Sequence, residues 1–223
     1  MTGWLLTAQR TGDVMTDLET LAERLAKLES QLSDYDDRRA ISDVLYRYAR
    51  GADRCDLELF KSCYWPDGTD LHWFFNGNAH EFAEWVIPVL AEVANSQHSI
   101  TNPIIDLQGD RAFVESQWYV VHHIPAVEGD TERFIDQQIE GRYVDVFEKR
   151  QGVWRILHRQ VVIESGREFI ATPLMPLPEG HPALGQRAPL DVVFQGVDLL
   201  KVPVFPVGGM DLWGDARARH GFV

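Results

Sequence analysis

The side chains in this sequence best suited to proton transfer near neutral pH are its histidines, because a small change of surroundings moves an imidazole across that range. A lone neutral imidazole is a modest base. A carboxylate hydrogen-bonded to one ring nitrogen fixes the tautomer and favours the imidazolium formed when the other takes a proton. Metal chemistry finds less support. His80-Glu81 starts like a zinc-binding H-E-x-x-H, but Glu84 and Trp85 follow and no second histidine completes it. His122 and His123 are adjacent on an expected strand, so their side chains point to opposite faces and cannot chelate one ion together. Cys55 and Cys63 fall in one short helical stretch without C-x-x-C or zinc-ligand spacing, which reads as two reduced thiols in a reducing cytoplasm. No phosphate-binding glycine loop and no G-x-S-x-G is present. The expectation is a protein with no metal and no cofactor.

Composition narrows the partners. A net charge of −13 argues against nucleic acid and against anionic membrane surfaces. The start, MTGWLLTAQRTGD, has no basic region and no long apolar stretch, and no segment reads as membrane-spanning, so an intracellular, cytoplasmic protein is expected. Seven Trp, six Tyr and eleven Phe are enough to build a core and also line a pocket for a flat apolar ligand.

The elements that must position these groups come in two blocks. Residues 1–16 read as a loose lead-in. Leu18, Leu21, Leu25, Leu28 and Leu32 then recur at alternating steps of three and four, a narrow leucine seam on an amphipathic helix. Two heptads are too few for a free coiled coil, so the seam must pack on its own domain or on a neighbouring subunit. A second helix is expected over about 34–50, with Ile41, Val44, Leu45 and Tyr48 as its stripe and Gly51 as its stop. A short helix follows at about 56–64, then a turn at Pro66-Asp67-Gly68, a strand over 69–75 and a hairpin turn at Asn76-Gly77. A third helix spans 79–95, with Pro88 inside it. The period then changes to two, giving strands at about 98–107, 111–124, 132–149 and 153–165 joined by short turns, hence an antiparallel meander. Helices followed by long strands mean α+β. From Gly166 the chain is rich in Pro and Gly yet too apolar for a linker, and reads as an irregular arm. The divisions are an extension over 1–33, a domain over 34–165 and the arm over 166–223.

Asp37–Leu57, Phe60 with Trp65-Pro66-Asp67-Gly68, Gln97–Asn102, and Gly152–Ile156 with Arg159 resemble, in order and spacing, the successive segments of SnoaL-like proteins of the nuclear transport factor 2-like class. The resemblance covers about 34–165. It implies a cone-shaped, curved antiparallel sheet on three helices (cystatin-like), here with an extra N-terminal helix and a C-terminal arm. That family includes scytalone dehydratase, bile-acid 7α-dehydratase, hexachlorocyclohexane dehydrochlorinase, polyketide cyclases and formaldehyde-releasing lyases. Noncatalytic members and small subunits of ring-hydroxylating dioxygenases also belong to it, so fold constrains function only loosely.

The resemblance also implies site residues. In the family's lyases an Asp after the first long helix pairs with a His opening the strand after the third helix; the matching positions are Asp53 and His98. The tyrosine of the first helix falls at Tyr48, and a first-strand tyrosine is replaced by His72. A second pocket histidine corresponds to His122, or to His123 after a one-residue slip. The late arginine corresponds to Arg159, and two polar pocket residues become Gly141 and Tyr143. His98 would then be a general base oriented by Asp53, with Tyr48, His72, His122 or Arg159 stabilising an oxyanion or protonating a leaving group. Trp73, Trp118, Tyr143 and Phe147 complete the expected substrate-binding set. Each residue also has a structural alternative: Asp53 as a cap of the helix beginning near Asp56, Tyr48 as core, Arg159 in an ion pair, the aromatic residues as packing and His123 facing solvent.

The function expected is a cofactor-independent lyase acting on a hydrophobic aromatic or polycyclic small molecule, by elimination, by C–C cleavage releasing formaldehyde, or by isomerisation. The alternatives are a noncatalytic ligand-binding protein and an accessory oxygenase subunit. A homo-oligomer is expected, trimer ahead of dimer.

Overall fold

The structure, a computed structural model, describes residues 3–128, 131–171, 185–194 and 196. Its first element, α1, runs unbroken over Gly3–Arg54. The expected loose lead-in and two separate helices are therefore one. The segment holds no proline, and Ser33 and Asp34, which look like a helix start, face solvent and need no cap. Nor is Gly51 a stop: a Cβ there would lie 3.0 Å from the backbone of Phe60, so glycine permits a close approach. The helix ends on Cys55, in the left-handed region at φ 52°. Cys55 N–H donates to Ala52 O and Asp56 N–H to Gly51 O, a Schellman closure.

The short α2 (Leu57–Ser62) is capped by Asp56, whose carboxylate accepts from Leu59 N–H. Strand β1 (Tyr64–His72) turns through Trp73 and Phe74 into β2 (Phe75–Asn78). Asn76-Gly77 is thus paired within β2 rather than forming the turn. Asn78 caps α3 (Ala79–Glu92), accepting from His80 and Glu81 N–H, and Pro88 lies inside that helix. Four long strands follow: β3 (Asn95–Gln108), β4 (Arg111–Glu128), β5 (Thr131–Arg150) and β6 (Val153–Ile170).

The six strands form one sheet in the order β2-β1-β6-β5-β4-β3. The meander is antiparallel as expected, but β6 returns beside β1 in parallel, so the sheet is mixed. Residues 166–170, expected in the arm, continue β6 against β5. The core side of β4 is set by period two: Ala112, Val114, Ser116, Trp118 and Val120 are buried, and Ile41, Val44, Leu45 and Tyr48 of α1 join them in the core. Beside Gly141 the β5–β6 register shifts, and an added Cβ would sit 1.9 Å from Val162 O. Such a bulge bends the strand that carries it.

Residues Met1–Asp191 make up one compact unit and Val192–Val223 a second. Within the first, residues 185–191 lie against the end of α1: Arg54 donates to Gln186 O and Asp191, and Ala188 N–H donates to Arg54 O. The rest of the expected arm, residues 172–184, 195 and 197–223, lies outside the described residues. No helix among the described residues is long and apolar enough to cross a membrane.

Candidate active site

Between the concave face of the sheet and the three helices lies a cavity of about 330 Å³. Its wall is mostly apolar, with Phe60, Phe82, Trp85, Leu90, Val120 and Ile139 among the lining residues. A volume at the low end of the ligand-pocket range suits a small organic molecule. Trp73 and Phe74, stacked at 4.6 Å on the β1–β2 turn, line the cavity while mostly exposed, and so form its lip.

Asp53 and His98 meet at this cavity. Asp53 sits on the last turn of α1, and His98 is the fourth residue of β3. The carboxylate accepts from His98 Nδ1 at 2.6 Å, from His98 N–H at 2.9 and 3.0 Å, and from Ser96 Oγ at 3.1 Å. Holding ring and backbone together leaves the imidazole little freedom. With Nδ1 engaged by the Asp53 carboxylate, Nε2 is the nitrogen left for the cavity. Asp53 does not cap α2; Asp56 does.

A second histidine–carboxylate pair lies on β1. Asp70 and His72 are two apart, hence on one strand face. Asp70 is fully buried and takes a 2.5 Å hydrogen bond from Tyr64 Oη and another, also 2.5 Å, from His72 Nδ1. The His72 ring stacks on Phe82 at 4.4 Å and lines the cavity.

A third ring, His122, lines the cavity 5.8 Å from His98. Its Nδ1 faces Gln137 Oε1 at 3.4 Å, while the Gln137 amide donates to Glu168. Burial, and then the neighbouring His98, push its pKa down to about 4, so this ring is neutral at pH 7. His122 Nε2 and Trp118 Nε1 are buried without protein partners, and both residues line the cavity. His123 points to the other face, but there it is nearly buried rather than solvent-facing, stacked on Phe134 and bonded to Asp136 at 2.6 Å.

Tyr48, expected as a catalytic group, and Trp118 and Tyr143, expected to bind substrate, all line the cavity. Burial raises the Tyr48 phenol well above its ordinary pKa, so it remains a proton-bearing donor. Two expected residues do not reach the cavity. Arg159 is fully buried in a bidentate pair with Asp145 at 2.7 and 2.8 Å, its guanidinium 4.1 Å from the Tyr48 ring and 3.8 Å from that of Tyr143. It packs against the two tyrosines and is absent from the cavity lining. Phe147 is likewise fully buried in the core and is not a lining residue. Conversely, sequence reasoning missed Asp70, Tyr64, Ser96 and Arg187. Asp70 had a signal in the Asp-x-His spacing on an expected strand, and Tyr64, read at the end of the short helix, had none. Arg187 had none: its guanidinium donates to Asp53 O, to Leu90 O at 3.2 Å and to Val93 O at 2.8 Å, closing the end of α3 and bracing the dyad from behind. No cluster of metal-ligating side chains occurs among the described residues.

Solved structures resemble this fold at low identity. LinA superimposes with a TM-score of 0.58 at 20% identity over 66% of this chain and 99% of its own. A type 2 LinA hexachlorocyclohexane dehydrochlorinase gives 0.55 at 20% identity, over 67% and 99%. The Kfla4162 protein of Kribbella flavida gives 0.54 at 18%, over 60% and 95%. No curated protein matches this chain significantly. The sequence profile of the SnoaL-like domain matches residues 33–160, more than half of the chain. That span runs from the second half of α1 into β6 and holds all the cavity-lining residues except Val161 and Ile163, and the protein belongs to the SnoaL-like domain family.

Proposed function

We propose that this protein is a cofactor-independent lyase in which His98, oriented by Asp53, removes a proton from a small hydrophobic molecule. The observation that carries the reading is the 2.6 Å contact between His98 Nδ1 and Asp53 at the wall of an apolar cavity. Among the structural neighbours, the dehydrochlorinase is named for an elimination, and this chain's cavity has the parts one would require: a base and a mostly apolar wall. Elimination of water, loss of formaldehyde by C–C cleavage and isomerisation all begin with the same proton removal. Flat aromatic substrates suit the lip of Trp73 and Phe74 and the stacked pair Trp118 and Tyr143, whose centroids are 5.5 Å apart.

The test uses 5-nitrobenzisoxazole, a small aromatic molecule that a general base opens to 2-cyano-4-nitrophenolate. The native protein accelerates the opening above buffer, and His98→Ala abolishes the excess while the circular dichroism spectrum is retained. Equal rates for the two proteins sink the reading.

We also propose that copies of this chain join through α1. Leu18, Leu21, Leu25, Leu28 and Leu32 are each more than half exposed although they keep heptad spacing. In a parallel in-register pair Arg24 of one copy faces Glu29 of the next. Leu21→Lys with Leu28→Lys lowers the mass measured by light scattering to that of one chain; an unchanged mass refutes the seam as the interface.

A further inference from the structure

We propose that the lip of the cavity docks on a lipid bilayer whose head groups are zwitterionic and carry an outermost ammonium group. This docking concerns the outer rim and holds whether the cavity's ligand reacts or is only bound, so it goes beyond the lyase reading. Trp73 and Phe74 occupy the turn between β1 and β2 and are 66% and 72% exposed, with their rings stacked on each other. Trp85 and Val89, one turn apart on α3, are 44% and 47% exposed and line the same cavity. Phe75 stacks on Trp85 with centroids 6.2 Å apart, so the turn and the helix share one apolar patch around the mouth. Exposed apolar side chains grouped in this way mark a surface that meets a protein or a membrane.

Charge and area decide between the two. Leu71–Ala79 contains no Asp, Glu, Lys or Arg, in a chain of net charge −13, and its one histidine, His72, is bonded to Asp70. The charged residues of α3 are Glu81, Glu84 and Glu92, all exposed, and the helix has no Lys or Arg. Lys61 takes Glu84, while Glu81 and Glu92 stand about one turn from the Trp85–Val89 pair. The rim therefore offers aromatic faces and two carboxylates, and no Lys or Arg among the described residues of the turn and α3. Such a surface repels anionic lipid and attracts the ammonium of a choline or ethanolamine head group, through the ring faces and through direct charge. A tryptophan also suits that depth, having an apolar body and an N–H that stays with the polar layer. Area argues against a second protein. An aromatic side chain buries about 150–250 Å², so the exposed parts of these four residues sum to well under the roughly 800 Å² per partner of a stable protein interface. A tip of two rings on a tight turn needs no flat partner in a bilayer, where head groups and acyl chains surround it.

The test is flotation of the whole chain with large unilamellar vesicles of phosphatidylcholine. The native protein floats with them, and its partition weakens when phosphatidylglycerol is added to the lipid. Trp73→Ser with Phe74→Ser lowers the partition about tenfold or more, the loss expected when two exposed aromatic side chains no longer leave water. Trp85→Ser lowers it less. Phosphatidylcholine brominated on its acyl chains quenches part of the native tryptophan fluorescence, and Trp73→Phe, which keeps the apolar tip, still floats but loses that quenching. Circular dichroism checks that each variant folds. A native protein that does not float overturns the proposal, as does equal flotation of the double serine variant or tighter binding to phosphatidylglycerol. If the double serine variant instead shows a lower mass than the native protein in light scattering, the lip holds a second copy and the bilayer is the wrong partner. None of these outcomes depends on benzisoxazole opening, so a failure here and a failure of the lyase reading are separate results.

Discussion

Asp53–His98 and Asp145–Arg159 are both pairs of a carboxylate with a basic side chain, both have little or no solvent exposure, and both join a residue to a neighbouring segment of the chain. They differ in where the basic group's remaining nitrogens lead. Arg159 has Tyr48 and Tyr143 stacked against it, and its Nη1 is buried without a partner. His98 lines the cavity, so its second nitrogen can meet a ligand. Burial and ion pairing therefore do not distinguish a site from a core; an open second nitrogen does.

The largest expected effect tests the closed pair. Arg159→Met leaves Asp145 buried and unpaired, and breaking such a pair costs about 3–5 kcal/mol. Urea denaturation should show that loss, and Arg159→Met combined with Asp145→Leu should recover much of it. A single variant as stable as the native protein would mean that the pair is dispensable, and the comparison would collapse. The open pair should behave the other way. His98→Ala removes about two to four orders of magnitude of proton-transfer rate but only about 1–2 kcal/mol of stability, because Asp53 keeps its bonds from Ser96 Oγ and from the backbone N–H of residue 98.

His122 sharpens the contrast, being a buried ring with no carboxylate partner. Its pKa falls from an ordinary 6.5 to about 4 on folding. Between those values the unfolded chain binds the proton and the folded one does not. Stability is therefore full above pH 6.5 and declines as pH falls through that window, by up to about 3 kcal/mol near pH 4. His122→Gln should flatten that part of the stability–pH curve. A curve with the same slope in the variant would assign the acid sensitivity to other groups.

Much of this arrangement was legible in the sequence. Period-two stretches with short turns gave the meander, and the ordered motifs around Asp53 and His98 gave the dyad. The failures have physical reasons. A parallel β1–β6 pairing leaves no mark in local periodicity, since it depends on how the chain returns after α3 and the meander. Arg159 aligns with a family site position, but whether its guanidinium meets a cavity or two tyrosine rings is settled by three-dimensional packing. Asp70 stands two residues before His72, but that the sheet buries it fully is settled only by three-dimensional packing. The exposed leucines of α1 show the converse: a clear pattern whose partner the fold of one chain does not supply.

Arg187 is the residue no sequence pattern pointed to, and it carries the smallest expected effect. It comes from beyond the matched domain, and its guanidinium bonds to the carbonyls of Asp53, Leu90 and Val93. Through them it ties the last turn of α1 to the end of α3, the two elements that flank the dyad. Without it those carbonyls lose a donor, Leu90 O keeping the one from Val93 N–H, and Asp53 gains freedom relative to His98. Arg187→Met should cost about 1–2 kcal/mol and slow benzisoxazole opening by about tenfold, since a base held less firmly spends less time in reacting geometry. Arg187→Lys, which keeps the charge but lacks the planar fork, should recover only part of the rate. If the methionine variant loses stability while the rate per folded molecule is unchanged, Arg187 is a structural clasp, and the dyad is held by α1 and β3 alone.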